Sequence, residues 1–165
     1  MVFWVPILSW GAALLFALLT ALKAPAPRPA ALWAERLAAG ICLFPVGLMG
    51  LWAALGHIAF PVQSAQSIGW ATSPFQFEVG VANLGIGLAG VIGAFYRSWG
   101  FRAAVAVVSA GFLGGAAVGH LVQIAKTGNL ASGNAGPILY TDMLTPLALL
   151  VLLALTWTSG RRDPT

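Results

Sequence analysis

Four side chains of this 165-residue chain can titrate and yet stand in apolar surroundings: His57, Glu78, His120 and Asp142. Each lies near the end of a segment that is otherwise almost free of charge. Histidine and carboxylate together form the ligand set of non-haem iron, zinc and manganese sites. The residue types therefore predict a metal site, provided that the segments carrying them bring the four side chains together.

The composition places those segments in a membrane. Hydrophobic residues make up 59% of the chain, charged residues 7%, and the mean hydropathy is +0.90. Soluble domains carry about 25% charged residues, so we expect an all-α, polytopic transmembrane helical bundle in which residues 1–165 form one membrane domain. The net charge of +4 does not indicate nucleic-acid binding. The basic residues lie in short loops, where they suit anionic lipid headgroups.

Five apolar segments predict five spans, a core of four helices preceded by an N-terminal helix. The predicted spans cover residues 2–22, 38–60, 75–96, 103–124 and 138–158. A cleaved signal peptide is the alternative for residues 2–22, but this segment is long and has no basic start, which favours a retained helix. Pro45 predicts a kink in the second span.

The basic residues predict how the spans are oriented. When the loops are assigned alternately to the two sides, all but one of the 8 lysines and arginines fall on the same side. That side holds Lys23, Arg28, Arg36, Arg97, Arg102, Arg161 and Arg162, and the other side holds Lys126. The positive-inside rule then predicts that the N-terminus is outside and the C-terminus cytoplasmic.

With this orientation the four ionisable side chains share the outer layer of the bilayer. An ionisable group within a span costs about 2.5–3.5 kcal/mol and usually faces a bundle interior, so four at one depth predict a common pocket. Four polar residues at the same depth are candidate ligand-binding residues: Gln76, Asn83, Asn134 and Tyr140. Gln76 and Asn134 are expected to orient the metal ligands. Asn83, about 140° round the helix from Glu78, is expected to bond a neighbouring helix.

Glu78 also has a purely local explanation. In the stretch "SPFQ", Ser73 can act as N-cap, Pro74 as the first helical residue and Gln76 as the partner in a capping box. A carboxylate in the next turn then gains from the helix dipole. The sequence leaves both explanations open.

Small residues at four-residue spacing follow two of the predicted spans. One stripe consists of Gly85, Ala89 and Gly93, and the other of Gly111, Gly115 and Gly119. Such stripes let helix backbones approach closely. They predict tight packing of the third span on the fourth, or else a seam with a second copy or a larger membrane complex.

Three stretches, "IGWATSPFQFEVGVANLGIG", "GAAVGH" and "GNAGPILYTDMLTPL", resemble an uncharacterised family of small multi-pass membrane proteins of bacteria and archaea. The resemblance covers about residues 50–155 and implies a location in the bacterial cytoplasmic membrane. The family's polar positions match His57, Ser73, Gln76, Glu78, Asn83, His120, Asn134 and Asp142. A looser similarity to DoxX-like four-helix proteins concerns the architecture alone.

These observations predict an outer-leaflet pocket that binds a metal ion, or a small redox or lipid ligand, with enzymatic activity left open. A haem between His57 and His120 is a weaker variant, because it leaves both carboxylates unexplained. A small accessory subunit of a larger membrane complex is the first alternative. A proton-coupled carrier is the second, although the sequence contains no inverted repeat.

Overall fold

The computed structural model describes residues 3–160, and this range is helical with no strand. The helices are α1 (Trp4–Leu22), α2 (Ala30–Ile41), α3 (Met49–Ala59), α4 (Pro61–Ile68), α5 (Phe75–Phe95), α6 (Trp99–Thr127) and α7 (Pro137–Gly160). Within the described range, five helical stretches are long and apolar enough to cross a membrane. The predicted all-α bundle with five spans is confirmed.

The second span is continuous from Ala30 to Ala59 and is longer than its predicted range of 38–60. It consists of α2, a π-helical segment over Cys42–Leu48 and α3. Pro45 lies inside the π-helical segment. Proline has no N–H to donate and its ring crowds the preceding turn, and a π-helical turn is a common way for a long helix to accommodate such a disruption.

The closest backbone packing joins the second span to α5 through glycines. A Cβ on Gly50 would lie 2.9 Å from Cα of Gly87, and a Cβ on Gly90 would lie 2.7 Å from both the Cys42 carbonyl oxygen and the Gly47 nitrogen. Real Cβ contacts are essentially never this short. The absence of side chains at these positions therefore allows the two helices to pack backbone against backbone.

The predicted glycine stripes do not form this seam. A Cβ on Gly85, Gly111, Gly115 or Gly119 would meet nothing within 4 Å, and Gly93 packs against Cys42 and Phe101 only at ordinary distances. The expected tight packing of the third span on the fourth through these stripes is therefore wrong. The stripe on α6 faces outward, and a seam with another protein remains a prediction.

Arg102 joins three helices at the side predicted to be cytoplasmic. Its side chain is buried, with a relative exposure of 4%. Nε donates to the carbonyl of Gly93 at 2.7 Å, Nη2 donates to that of Ala94 at 3.2 Å, and Nη1 lies 3.2 Å from the Glu35 carboxylate. The guanidinium of α6 thus caps the C-terminal end of α5 and pairs with α2.

A second arginine on the same side ends α1. Arg28 donates from Nε to the carbonyls of Ala21 and Ala24, and from Nη2 to that of Leu22. Two of the cations used for the orientation prediction therefore also cap helices. Arg161 and Arg162 lie outside the described residues.

Adding a methyl group to the glycine seam should destabilise the bundle. We expect Gly90→Ala to lower the free energy of unfolding by about 1–3 kcal/mol, the usual cost of overpacking, because the Cβ would overlap two backbone atoms as well as a methyl group of Val46. Gly115→Ala, in open space, should change it by no more than about 0.5 kcal/mol. Thermal unfolding in detergent, followed by circular dichroism, measures both. Equal midpoints for the two variants would contradict the assigned seam.

Removing the buried guanidinium should be more costly. We expect Arg102→Gln to lower the free energy of unfolding by about 3–5 kcal/mol, because the carbonyls at the end of α5 lose their donor and Glu35 is left with Arg36, at 3.4 Å, as its cation. Arg97→Gln, at an exposed position in the loop just before α6, is the matched control and should leave the free energy of unfolding nearly unchanged. The same unfolding measurement tests this prediction. An Arg102→Gln variant as stable as the wild type would show that the capping interaction is dispensable.

Candidate functional site

A cavity of about 460 Å³ lies in the half of the bundle that contains both histidines. It is bounded by residues of α1, α3, α4, α5, α6 and α7, and its lining is mostly apolar. The second span packs closely on α5, and α6 packs closely on α7, whereas α5 and α6 contact each other much less. The cavity is therefore the space between two tight helix pairs.

Helix α4 and the loop 128–136 cover the outer end of this cavity. Pro61 begins α4, and Gly69, with φ of 77°, ends it in the left-handed conformation. The Gly133 N–H donates to the Ser67 carbonyl at 3.0 Å, and the Asn129 amide donates to the Ile68 carbonyl at 2.9 Å. These bonds connect a segment attached to α3 with the loop that joins α6 to α7, so both helix pairs share one cap.

His120 is held by an amide in this cap. Asn134 is fully buried, and its Oδ1 lies 2.8 Å from His120 Nδ1. The Asn134 Nδ2 donates to the carbonyl of Asn129 at 2.9 Å and that of His120 at 3.4 Å. A carbonyl can only accept a hydrogen bond, so the NH2 group of Asn134 faces these two carbonyls and its Oδ1 faces the imidazole. His120 Nδ1 must then carry a proton. In the neutral ring, Nε2 is then an acceptor.

That Nε2 atom faces Asp142 across the polar end of the cavity. The distance from His120 Nε2 to Asp142 Oδ2 is 3.7 Å, and both side chains are 8% exposed. This separation is too long for a hydrogen bond. The Trp70 ring lies against the same imidazole with its centroid 6.0 Å away. His120 and Asp142 therefore approach each other without direct bonding.

His57, like His120, contacts a side-chain amide. Its Nδ1 is in hydrogen-bond contact with Oε1 of Gln76, which is 6% exposed, and both residues line the cavity. The predicted capping box is wrong: the N-cap of α5 is Pro74, and no side chain caps this end. Gln76 is free to reach α3 because the start of the helix does not use it.

The remaining predicted residues divide into two groups. Asn83 lines the cavity and is buried, but its amide donates to the Val79 carbonyl of its own helix rather than to a neighbouring one. Glu78 and Tyr140 are exposed and do not line the cavity. Glu78 lies in the first turn of α5, where a carboxylate interacts favourably with the helix dipole.

The four predicted metal ligands do not form one group. Within the described residues, no three histidine, cysteine, aspartate or glutamate side chains are placed to hold a metal ion. The reason is rotational: Glu78 points outward from α5, two positions beyond Gln76, which points inward. A shared depth in the membrane does not imply a shared direction.

Several lining residues were not predicted. Trp10 of α1 donates from Nε1 to Thr145 of α7 at 3.2 Å, and both line the cavity. Gln63 and Trp70 also line it, although the sequence suggests ordinary loop or interfacial roles for them. The apolar residues Val62, Ala65 and Ile68, at three-residue spacing in "PVQSAQSI", could have indicated that this stretch forms a helix.

The chain belongs to a family of unknown function (DUF6790), whose profile matches residues 3–162. No curated protein and no solved structure shows a significant match to the chain. The family assignment therefore extends the predicted resemblance over nearly the whole chain and attaches no activity to it.

The Asn134 contact makes a prediction about the protons of His120. In protein labelled with ¹⁵N-histidine, we expect the His120 Nδ1 to be protonated at pH 8 and any unprotonated nitrogen to be Nε2, because the amide oxygen fixes this tautomer. Two-bond ¹H–¹⁵N correlation spectra distinguish the two tautomers. The variant His57→Gln leaves one histidine and so assigns the signal. Observation of the Nε2–H tautomer would contradict the assigned orientation of Asn134.

Proposed function

We propose that the protein binds a small, lipid-soluble molecule in the cavity between its two helix pairs, with the polar end of that molecule beside His57, His120 and Asp142. The observation that carries this proposal is the combination of a mostly apolar space of about 460 Å³ with buried polar side chains at its capped end. Ligand sites have this character: an apolar lining with a few polar groups that fix the orientation.

The amide partners of the histidines support a binding role. Gln76 and Asn134 hold one nitrogen of each imidazole and thereby restrain both rings. Immobilised polar groups bind with a smaller loss of conformational entropy than mobile ones. Two restrained imidazoles at the edge of an apolar cavity would recognise a ligand by the position of its polar groups.

The packing of the helices supports entry from the bilayer. The cap formed by α4 and the loop 128–136 covers the end that faces the outer aqueous phase in the predicted orientation. The wall between α5 and α6 is the loosely packed one, and the cavity side chains there are apolar, including Ile86, Phe112 and Leu113. A molecule dissolved in the membrane could enter along this wall without crossing the cap.

The location proposed for this site is the outer leaflet of a bacterial cytoplasmic membrane, with the N-terminus outside. The cations at Arg28 and Arg102 support this orientation, since both lie at helix ends opposite the cavity. The site would be compatible with a redox reaction on the ligand. The identity of the ligand would show whether such a reaction is possible. Metal, haem and carrier functions remain alternatives for the same pocket.

A role as an accessory subunit is the second candidate, and the outward stripe on α6 favours it. Gly111 and Gly115 leave an open, side-chain-free strip in a helix that crosses the membrane. Another membrane helix could pack closely there. Gly115→Leu should then dissociate a complex isolated in mild detergent while leaving the cavity intact.

The binding proposal is tested by filling the cavity. Ala116 lines it, whereas Ala104 of the same helix faces outward. We expect native mass spectrometry of the wild type and of Ala104→Phe to show the same bound small molecule, and Ala116→Phe to have lost most of it. Extraction into organic solvent and mass spectrometry would then identify the molecule.

The wild type and the further variant His120→Ala distinguish the binding proposal from the metal and haem alternatives. Elemental analysis and an absorption spectrum would detect a metal ion or haem that is lost in His120→Ala. A protein that carries no bound molecule in any variant, and takes up none from a lipid extract, would contradict the binding proposal. Equal loss in both phenylalanine variants would show that the binding lies elsewhere.

A further inference from the structure

Two side chains at the polar end of the cavity, His120 and Asp142, present hydrogen-bond acceptors to it. Because His120 Nδ1–H is used by Asn134, the neutral imidazole offers only the Nε2 lone pair to the cavity. The Asp142 carboxyl adds two oxygens, one of them 3.7 Å from that nitrogen. His120 Nε2 and the two Asp142 oxygens are therefore three atoms that can accept a hydrogen bond from a molecule in the cavity.

Asp142 has no hydrogen-bond partner among the described residues. Its side chain is 8% exposed, and its polar contact there is the 3.7 Å approach of His120 Nε2. A buried carboxyl normally accepts several hydrogen bonds, and leaving a buried polar group unpaired is costly. The position of Asp142 on the cavity wall means that a bound molecule could supply the missing donor.

The charge of the lining excludes one large class of ligand. No lysine or arginine lines the cavity within the described part of the chain, and Asp142 is its one lining carboxyl group. An anionic headgroup would lose its hydration without gaining a cation, and it would face a carboxyl group at close range. Neutral and cationic headgroups do not meet this penalty.

We propose that the ligand is an amphiphile whose headgroup donates a hydrogen bond from a hydroxyl or amine to Asp142 and His120, and that anionic amphiphiles are rejected. This inference rests on the proposed binding function and specifies its ligand class. Long-chain alcohols, phenols, hydroquinones and amines fit the pattern of donors. Fatty acids, sulfonates and phospholipid phosphates do not.

The test uses four ten-carbon probes that share the same chain: 1-decanol, decylamine, 1-methoxydecane and 1-decanesulfonate. Each is titrated into the wild-type protein in neutral nanodiscs, and the rise of the thermal midpoint measures binding. In Ala116→Phe the cavity is filled, so any shift of its thermal midpoint comes from the effect of the probe on the bilayer. This shift is subtracted from that of the wild type. Methylation of the alcohol removes its donor at almost unchanged length, so decanol and its methyl ether form the critical pair.

We expect decanol and decylamine to stabilise the wild type relative to Ala116→Phe. The methyl ether should require at least about tenfold higher concentration for the same shift, since it leaves the acceptors unpaired. The sulfonate should give no specific shift. In Asp142→Asn, whose amide can itself donate, the difference between decanol and the ether should largely disappear.

Three results would overturn the inference, and they differ in what they imply for the proposed function. If the ether or the sulfonate binds as well as decanol, the cavity is a ligand site but the donor rule is wrong. If none of the four probes stabilises the wild type more than Ala116→Phe, both the donor rule and the binding function fail. If a folded Asp142→Asn variant still prefers decanol to the methyl ether, Asp142 is not the group that accepts the hydrogen bond from the ligand.

Discussion

A membrane interior offers buried polar groups no water, so each one must find its partner within the protein. Arg102 meets this demand with two carbonyls at the end of α5 and the carboxylate of Glu35. At the opposite side, Asn134 meets it with two carbonyls and an imidazole. Arg102 thereby joins three helices through one side chain, and Asn134 joins the loop 128–136 to α6. The bundle is thereby secured at its two ends, and its middle can be arranged by packing alone.

The glycine seam determines where the cavity lies. Gly50 and Gly87 bring the second span and α5 into backbone contact, and α6 contacts α7 closely on the other side. Helices that are drawn together in pairs leave space between the pairs, unless large side chains fill it. Here α6 presents small residues such as Ala116 to that space, while the bulkier Phe112 lies deeper along the same face. The cavity is therefore a consequence of the same close packing that holds the helices together.

Much of this architecture could be predicted from the sequence, since hydropathy and loop charge report directly on the solvent that each segment meets. The five spans follow from that logic, and so does the burial of the polar residues His120, Asn134 and Asp142. The direction in which each side chain points does not. Glu78 and Gln76 lie two positions apart at one depth, and only Gln76 faces the cavity. Small residues occur on several faces of α5, so spacing alone cannot distinguish Gly85 from Gly87, although only Gly87 contacts a neighbouring backbone.

The choice of amides beside the histidines has a further physical meaning. A carboxylate in the place of Asn134 would hold His120 equally well, but it would stabilise a positive imidazolium and add a buried charge. An amide fixes the same ring and the same tautomer without changing the net charge of the site. Asp142 is then the ionisable group that faces His120, at 3.7 Å from its Nε2 atom. Under the proposed binding function, a site arranged in this way would select a ligand by its hydrogen-bonding groups, while the Asp142 carboxyl group would keep anionic headgroups out.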